Sequence, residues 1–179
     1  MVGRCWRRGC KMLRYAYAGR LTVKAFTLFV KDVWCNSHPA YKMKSLLLSC
    51  KRFESRLVSF GNRPKTLISE SISESKYQAG KCIVVLITIE KGDDPPSSAR
   101  KLEDEIRIFS RDTGISTIVI FPFAHLSNNL ASSECALNFL DVLTKSLADF
   151  SVERVHFGSD KSLLLDVHGH RGNIRFRQF

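Results

Sequence analysis

The sequence predicts an α/β fold in which β-sheet layers carry two main helices, and two observations lead to it. The apolar runs CIVVLITIE (82–90) and STIVIFPF (116–123) are rich in β-branched residues and lack the alternation of a half-exposed strand, so each reads as a strand covered on both faces. Each is followed by a segment of helical period, SSARKLEDEIRIFSRDTG (97–114) and SSECALNFLDVLTKSLADF (132–150).

Regular patterning begins at Met43. SLLLSC (45–50) and RLVSF (56–60) read as two short strands forming a hairpin or neighbouring pair. Residues 61–81 are polar, serine-rich and punctuated by Gly61, Pro64 and Gly80, which predicts a long surface loop or partial helix. KGDDPP (91–96) stops the central strand. The first helix takes Ser97 or Ser98 as N-cap, an apolar face of Leu102, Ile106 and Phe109, and Gly114 as its stop. The second has a serine cap and a stripe through Leu137, Leu140, Leu143 and Leu147. VERVHFG and SLLLDVHGH, within 152–170, read as two further strands joined by a turn at 158–161.

Composition narrows the class. The apolar fraction of 44% and charged fraction of 25% are those of a folded globular chain. The net charge of +11 is concentrated in residues 1–42, which hold nine Lys or Arg against the single acid Asp32. A basic extension over 1–42 is therefore predicted beside a domain over 43–179, with translation expected to begin at Met43; a basic RNA arm is the alternative. The six cysteines form no CxxC pattern and read as reduced, cytoplasmic thiols; no apolar stretch is long enough to span a membrane.

Nucleotide-binding loops, HExxH, GxSxG and paired-cysteine zinc patterns are absent, which leaves polar groups at the ends of apolar strands. His125, delivered by IVIFPFAHLSNN (118–129), either orients a water or substrate hydroxyl or caps the following turn. Lys161, where a turn feeds a strand, either binds an oxyanion or water in a cleft or is a solvated turn residue. His168 and His170 would share a strand face merely through the period of two. They and His156, His125 and Cys135 lack ligand spacing, so no metal and no cofactor is expected.

FPFAHLS (121–127), the helix after it, HFGSDKS (156–162) and HGH (168–170) together resemble the N-terminal editing domain of archaeal-type threonyl-tRNA synthetases. VLITIEK (85–91) resembles that family's central strand and MKSLLLSC (43–50) its first; the likeness covers roughly residues 43 to 175. The resemblance implies a D-aminoacyl-tRNA deacylase-like fold, removal of L-serine from mischarged threonine tRNA, a homodimer and no metal. It implies catalytic roles for His125, lining the seryl pocket, and Lys161, positioning water. Pro122, Phe123 and Ala124 would wall the terminal adenosine, with Thr88 and Glu90 on the strand edge opposite. Asp160 stands where the family often has tyrosine, and Ile174 where it has an acidic residue. No strong base is evident, so the 2′-hydroxyl of the terminal adenosine is expected to take part.

No aminoacylating core follows, so the chain is expected to act as a freestanding editing protein, with a separate synthetase, or as a fragment of one. A D-aminoacyl-tRNA deacylase and a non-catalytic tRNA-binding module of the same fold are the alternative readings.

Overall fold

The computed structural model describes residues 43–61, 67–71 and 74–179; the basic segment 1–42 lies outside them. The elements run β1 (Lys44–Phe60), β2 (Lys76–Ala79), β3 (Cys82–Thr88), α1 (Pro95–Thr113), β4 (Thr117–Pro122), a 3-10 turn (Ala124–Leu126), α2 (Ser133–Ser146), β5 (Ser151–Arg154), β6 (Ser159–Val167) and β7 (Ile174–Gln178). They form one mixed sheet with a path of β2-β1-β3-β4-β5, and β6 and β7 add to β1.

The predicted pair 45–50 and 56–60 is a single 17-residue strand. Its length lets it serve several partners: residues 44–50 pair with β3, while residues 53–56 pair with β2. The other edge takes β7 along 44–48 and β6 from Cys50 to Phe60. Register shifts after Cys50 and Leu57 bend it. Past the first, β1 folds over the sheet, since Phe53 meets Phe121 of β4 edge-on with ring centroids 6.1 Å apart. Bending, rather than a turn, separates the two apolar segments.

β3, β4 and β5 run parallel. Every residue of β3 is buried, yet its alternation persists beneath the apolar run. Ile83, Val85 and Ile87 pack with the helices, while Cys82, Val84 and Leu86 join Phe53, Tyr77, Phe121 and Val155 on the opposite side. Leu102, Ile106 and Phe109 of α1 and Phe139, Leu140, Leu143 and Leu147 of α2 close the first core. Leu137 is only half-buried, so the α2 stripe runs through Ala136 and Phe139 instead.

Three further expectations need correction. The N-cap of α1 is Asp94, whose carboxylate accepts from Ser97 N, with Pro95 and Pro96 in the first turn; KGDDPP therefore starts a helix as well as ending a strand. Within 61–81, β2 forms because Tyr77 supplies an apolar anchor, and no helix occurs among its described residues. Residues 158–161 do not join a hairpin: β5 pairs with β4 and β6 with β1, which puts Asp160 and Lys161 inside β6. The unpredicted β7 holds RFRQ against α1, where Arg175 pairs with Asp112 at 2.5 Å and lies 4.4 Å over the Phe109 ring. Among the described residues no helix is long and apolar enough to cross a membrane.

Candidate functional site

The candidate residues gather at the carboxyl ends of the parallel strands, the usual location of sites in open α/β sheets. Pro122 explains the opening there. Ile120 faces β5, accepting from Val155 N at 3.0 Å, and Phe123 faces β3, donating to Ile87 O at 2.8 Å. By alternation the position of Pro122 faces β5, where its missing N–H ends the ladder and lets the chain leave as the 3-10 turn.

Thr88 fixes that departure. Its buried hydroxyl donates to the carbonyl of Phe123, so Thr88 shapes the wall. Pro122 and Phe123 are half-buried, Ala124 and His125 exposed, and the His125 ring lies edge-on to Phe123 at 5.1 Å. Glu90 is buried, bridges Leu130 and pairs with Lys44 at 2.8 Å. Burial alone would raise its carboxyl, but hydrogen bonds from Lys44 and Ser127 and the Lys44 charge outweigh that and hold it below the ordinary value. Glu90 thus fastens the far end of the 123–131 loop.

Lys161 enters from β6. Its ammonium donates to the carbonyl oxygens of His156 at 2.8 Å and Ser159 at 2.9 Å, and lies 3.4 Å from Ser159 Oγ. It stands 5.5 Å from the Phe121 ring, which is 6.3 Å from Phe123; this chain of rings joins Lys161 to the Phe123–His125 wall. Burial pushes the Lys161 amine below its ordinary value, against the opposing charges of Asp160 and Glu70. Asp160 itself is exposed on the alternate face of β6, where it accepts from Ser59 Oγ at 2.9 Å; it acts on Lys161 through charge and not contact. Ile174 is exposed in β7 opposite Leu48.

The loop beneath Lys161 is held by residues the sequence reading left out. Gly158 has φ +84, and a Cβ there would lie 2.7 Å from Ser69 Cα. Only glycine lets segment 67–71 close over the loop, where Ser69 Oγ donates to Gly158 O at 2.9 Å. Glu70 accepts from Phe157 N at 2.8 Å and pairs with Arg154. His156 is buried, with Nε2 2.9 Å from Glu70 O and Nδ1 2.8 Å from Ser159 Oγ. Part of the signal lies in HFGSDKS itself, whose first and fourth positions build the cradle for the sixth.

HGH lies in the β6–β7 connection and not on a strand: His168 Nδ1 is 3.1 Å from Ser49 Oγ, and the His168 and His170 rings are 5.6 Å apart. Among the described residues no set of three His, Cys, Asp or Glu side chains is gathered as for a metal. Burial pushes the thiol of Cys50 up to about 11 and that of Cys82 up to about 12, which leaves both unsuited to nucleophilic work. A groove of about 590 Å³ beside α1, lined by Arg107, Ile108 and Phe150, contains none of the candidate residues.

Similarity to known proteins bears on this arrangement. The family described as the archaea-specific editing domain of threonyl-tRNA synthetase matches residues 43–177. The chain belongs to this family. The threonine–tRNA ligase of Methanococcus maripaludis strain C5 is 31% identical over 131 residues, covering 72% of this chain and 20% of that protein. The ligase of Thermofilum pendens is 34% identical over 134 residues, covering 72% and 21%. The threonine–tRNA ligase editing subunit of Saccharolobus solfataricus is 35% identical over 89 residues, covering 49% and 23%. The chain thus spans about a fifth of the length of the curated relatives it matches. Among solved structures, a probable eukaryotic D-amino acid tRNA deacylase aligns with a TM-score of 0.45 and 12% identity over 77% of this chain and 98% of that one.

Proposed function

We propose that the editing domain hydrolyses the ester of L-serine mischarged on threonine tRNA. The observation that carries the proposal is the Lys161 ammonium, half-buried at a strand end, with two N–H groups anchored on backbone carbonyls beside the Phe123–His125 wall. An anchored cation of this kind holds a water or a developing oxyanion in place. In the step, water oxygen bonds to the ester carbonyl carbon, the carbonyl–O3′ bond breaks, and the 3′ oxygen leaves as a hydroxyl after taking a proton. Lys161 and His125 suit holding water better than ionising it, so the terminal 2′-hydroxyl relays that proton.

Selectivity comes from rate. A methyl distinguishes threonine from serine and is worth only about 1–3 kcal/mol of binding. The added methyl displaces the water held by Lys161, and small displacements cost orders of magnitude in rate. The domain acts with a separate synthetase, as the words editing subunit in the name of the Saccharolobus relative suggest; it acts in the cytoplasm and pairs as a homodimer. It starts at Met43, the first residue matched.

The test is deacylation of seryl- and threonyl-tRNA, with a terminal 2′-deoxyadenosine substrate beside them. Seryl-tRNA is hydrolysed far faster at similar affinity, and the 2′-deoxy ester binds without turnover. Equal rates on both amino acids reject the selectivity, normal turnover of the 2′-deoxy ester rejects the RNA-assisted step, and a preference for the D-enantiomer reassigns the substrate.

A further inference from the structure

We infer that His156 is a positioning residue for Lys161, acting through the hydroxyl of Ser159; the inference rests on the reading of Lys161 as the holder of water. An ammonium has three N–H groups in tetrahedral array. Two are short, at 2.8 Å to His156 O and 2.9 Å to Ser159 O, and fixing two directions fixes the third. The third contact, 3.4 Å to Ser159 Oγ, is at the limit of a hydrogen bond. That N–H is the one a substrate water can take over without breaking the anchorage.

The imidazole sets what the third N–H meets at rest. His156 Nε2 lies 2.9 Å from Glu70 O, which can only accept, so Nε2 carries the hydrogen. In the neutral ring Nδ1 is then bare and accepts from Ser159 Oγ at 2.8 Å. The Ser159 hydrogen therefore points at the ring and its lone pairs are left for the ammonium. Turned the other way, the hydroxyl would present its positive end to the cation. With 3% of its surface exposed and both nitrogens engaged, His156 meets no substrate, so its influence passes through Ser159.

Variants of the full chain separate the two ends of the ring. His156→Asn places an amide oxygen near Nδ1, keeping an acceptor for Ser159 while losing Glu70. His156→Gln places an amide N–H near Nε2, keeping Glu70 while losing Ser159. With seryl-tRNA, His156→Gln and Ser159→Ala lower kcat about tenfold or more with KM within about twofold, and His156→Asn stays within about threefold of wild type. The double variant His156→Gln with Ser159→Ala is no slower than either single one. A merely structural histidine reverses the order, because Glu70 ties the 67–71 segment to the loop, and such a reversal overturns the inference.

Lysine side-chain NMR of the free protein supplies a measurement that needs no substrate. Losing the oriented hydroxyl lowers the Lys161 titration midpoint in His156→Gln and Ser159→Ala but not in His156→Asn. Unchanged midpoints in both overturn the inference whatever the kinetics. Shifted midpoints in a protein that hydrolyses no aminoacyl-tRNA leave the positioning intact and overturn the proposed function instead.

Discussion

Replacing Lys161 by Met deletes the ammonium while leaving an unbranched stem over Phe121. For stability two effects oppose. The carbonyls of His156 and Ser159 lose charged donors at 2.8 and 2.9 Å, worth about 1.5–3 kcal/mol each as hydrogen bonds to a charge. Removing a half-buried cation recovers desolvation of similar size, which is the cause of the lowered Lys161 amine. The fold should therefore change by no more than about 1–2 kcal/mol. For the reaction nothing offsets the loss: removing one preorganised donor costs about 10²–10³ in kcat, or about 2.7–4 kcal/mol of barrier. Lys161→Arg keeps the charge, but its planar fork cannot seat two N–H groups on these carbonyls with a third directed outward, so it should also lose about tenfold or more. Single-turnover deacylation of seryl-tRNA with enzyme in excess, alongside urea melts, reads both quantities. A Met variant with native stability and a rate within about fivefold of wild type would refute the assignment of water holding to Lys161.

Because burial lowers the Lys161 amine, the folded protein releases this proton at lower pH than the unfolded chain does. Between the folded value and about 10.4 the unfolded state binds more protons, so stability attributable to Lys161 rises with pH while deacylation falls. The difference between wild type and Lys161→Met in urea midpoint across that window should show this rise, and a flat difference contradicts the burial. Gly158→Ala combines φ +84 with a Cβ driven into Ser69, so it should cost about 1–3 kcal/mol in denaturant melts and slow deacylation along with it; native stability would place no constraint on that loop. Cys50 and Cys82, fully buried with raised thiols, should react with a disulfide reagent only at the rate of opening, in a variant stripped of the other cysteines. Reaction within seconds under native conditions would show β1 and β3 separating readily.

The buried strands were legible because burial on both faces imposes a composition. CIVVLITIE and STIVIFPF have few alternatives once every position of β3 must avoid water, and the helix faces at Leu102, Ile106, Phe109, Leu140 and Leu143 follow from the same demand at a period of 3.6. Strands with lasting exposure carried less information. β1 reads as two segments because CKRFE places Lys51 and Arg52, both exposed, at the register shift, where the local pattern loses its period while pairing with β6 continues. RFRQ carries no strand signature because its inward residues are Arg175 and Arg177, whose stems and charges pack on Phe109, Glu105 and Asp112 where apolar side chains would be expected.

At the candidate site the division falls between groups and their supports. His125 and Lys161 stand out because each interrupts an apolar pattern at a strand end, and a polar group in such a place invites a chemical reading. Thr88, Glu90 and Asp160 share their neighbourhood, and each has a structural partner as well: one fixes the Phe123 carbonyl, one a loop base through Lys44, and one accepts from Ser59 on the exposed side of β6. Which demand a polar residue meets depends on partners far along the chain. Glu70 reaches His156 across 86 positions, and β1 meets β6 across 101 positions at Ser59 and Asp160. No local pattern encodes such a pairing. What HFGSDKS does encode is a short-range device: a glycine that admits the 67–71 segment, and two carbonyls and a hydroxyl spaced to receive a lysine that folds back on them. The ammonium is therefore oriented by its own loop, while the long-range contacts of Glu70 and Arg154 keep that loop from relaxing. A site built this way keeps its cation in place before any substrate arrives, which is the condition under which a fixed charge accelerates a reaction without reorganising at the moment of attack.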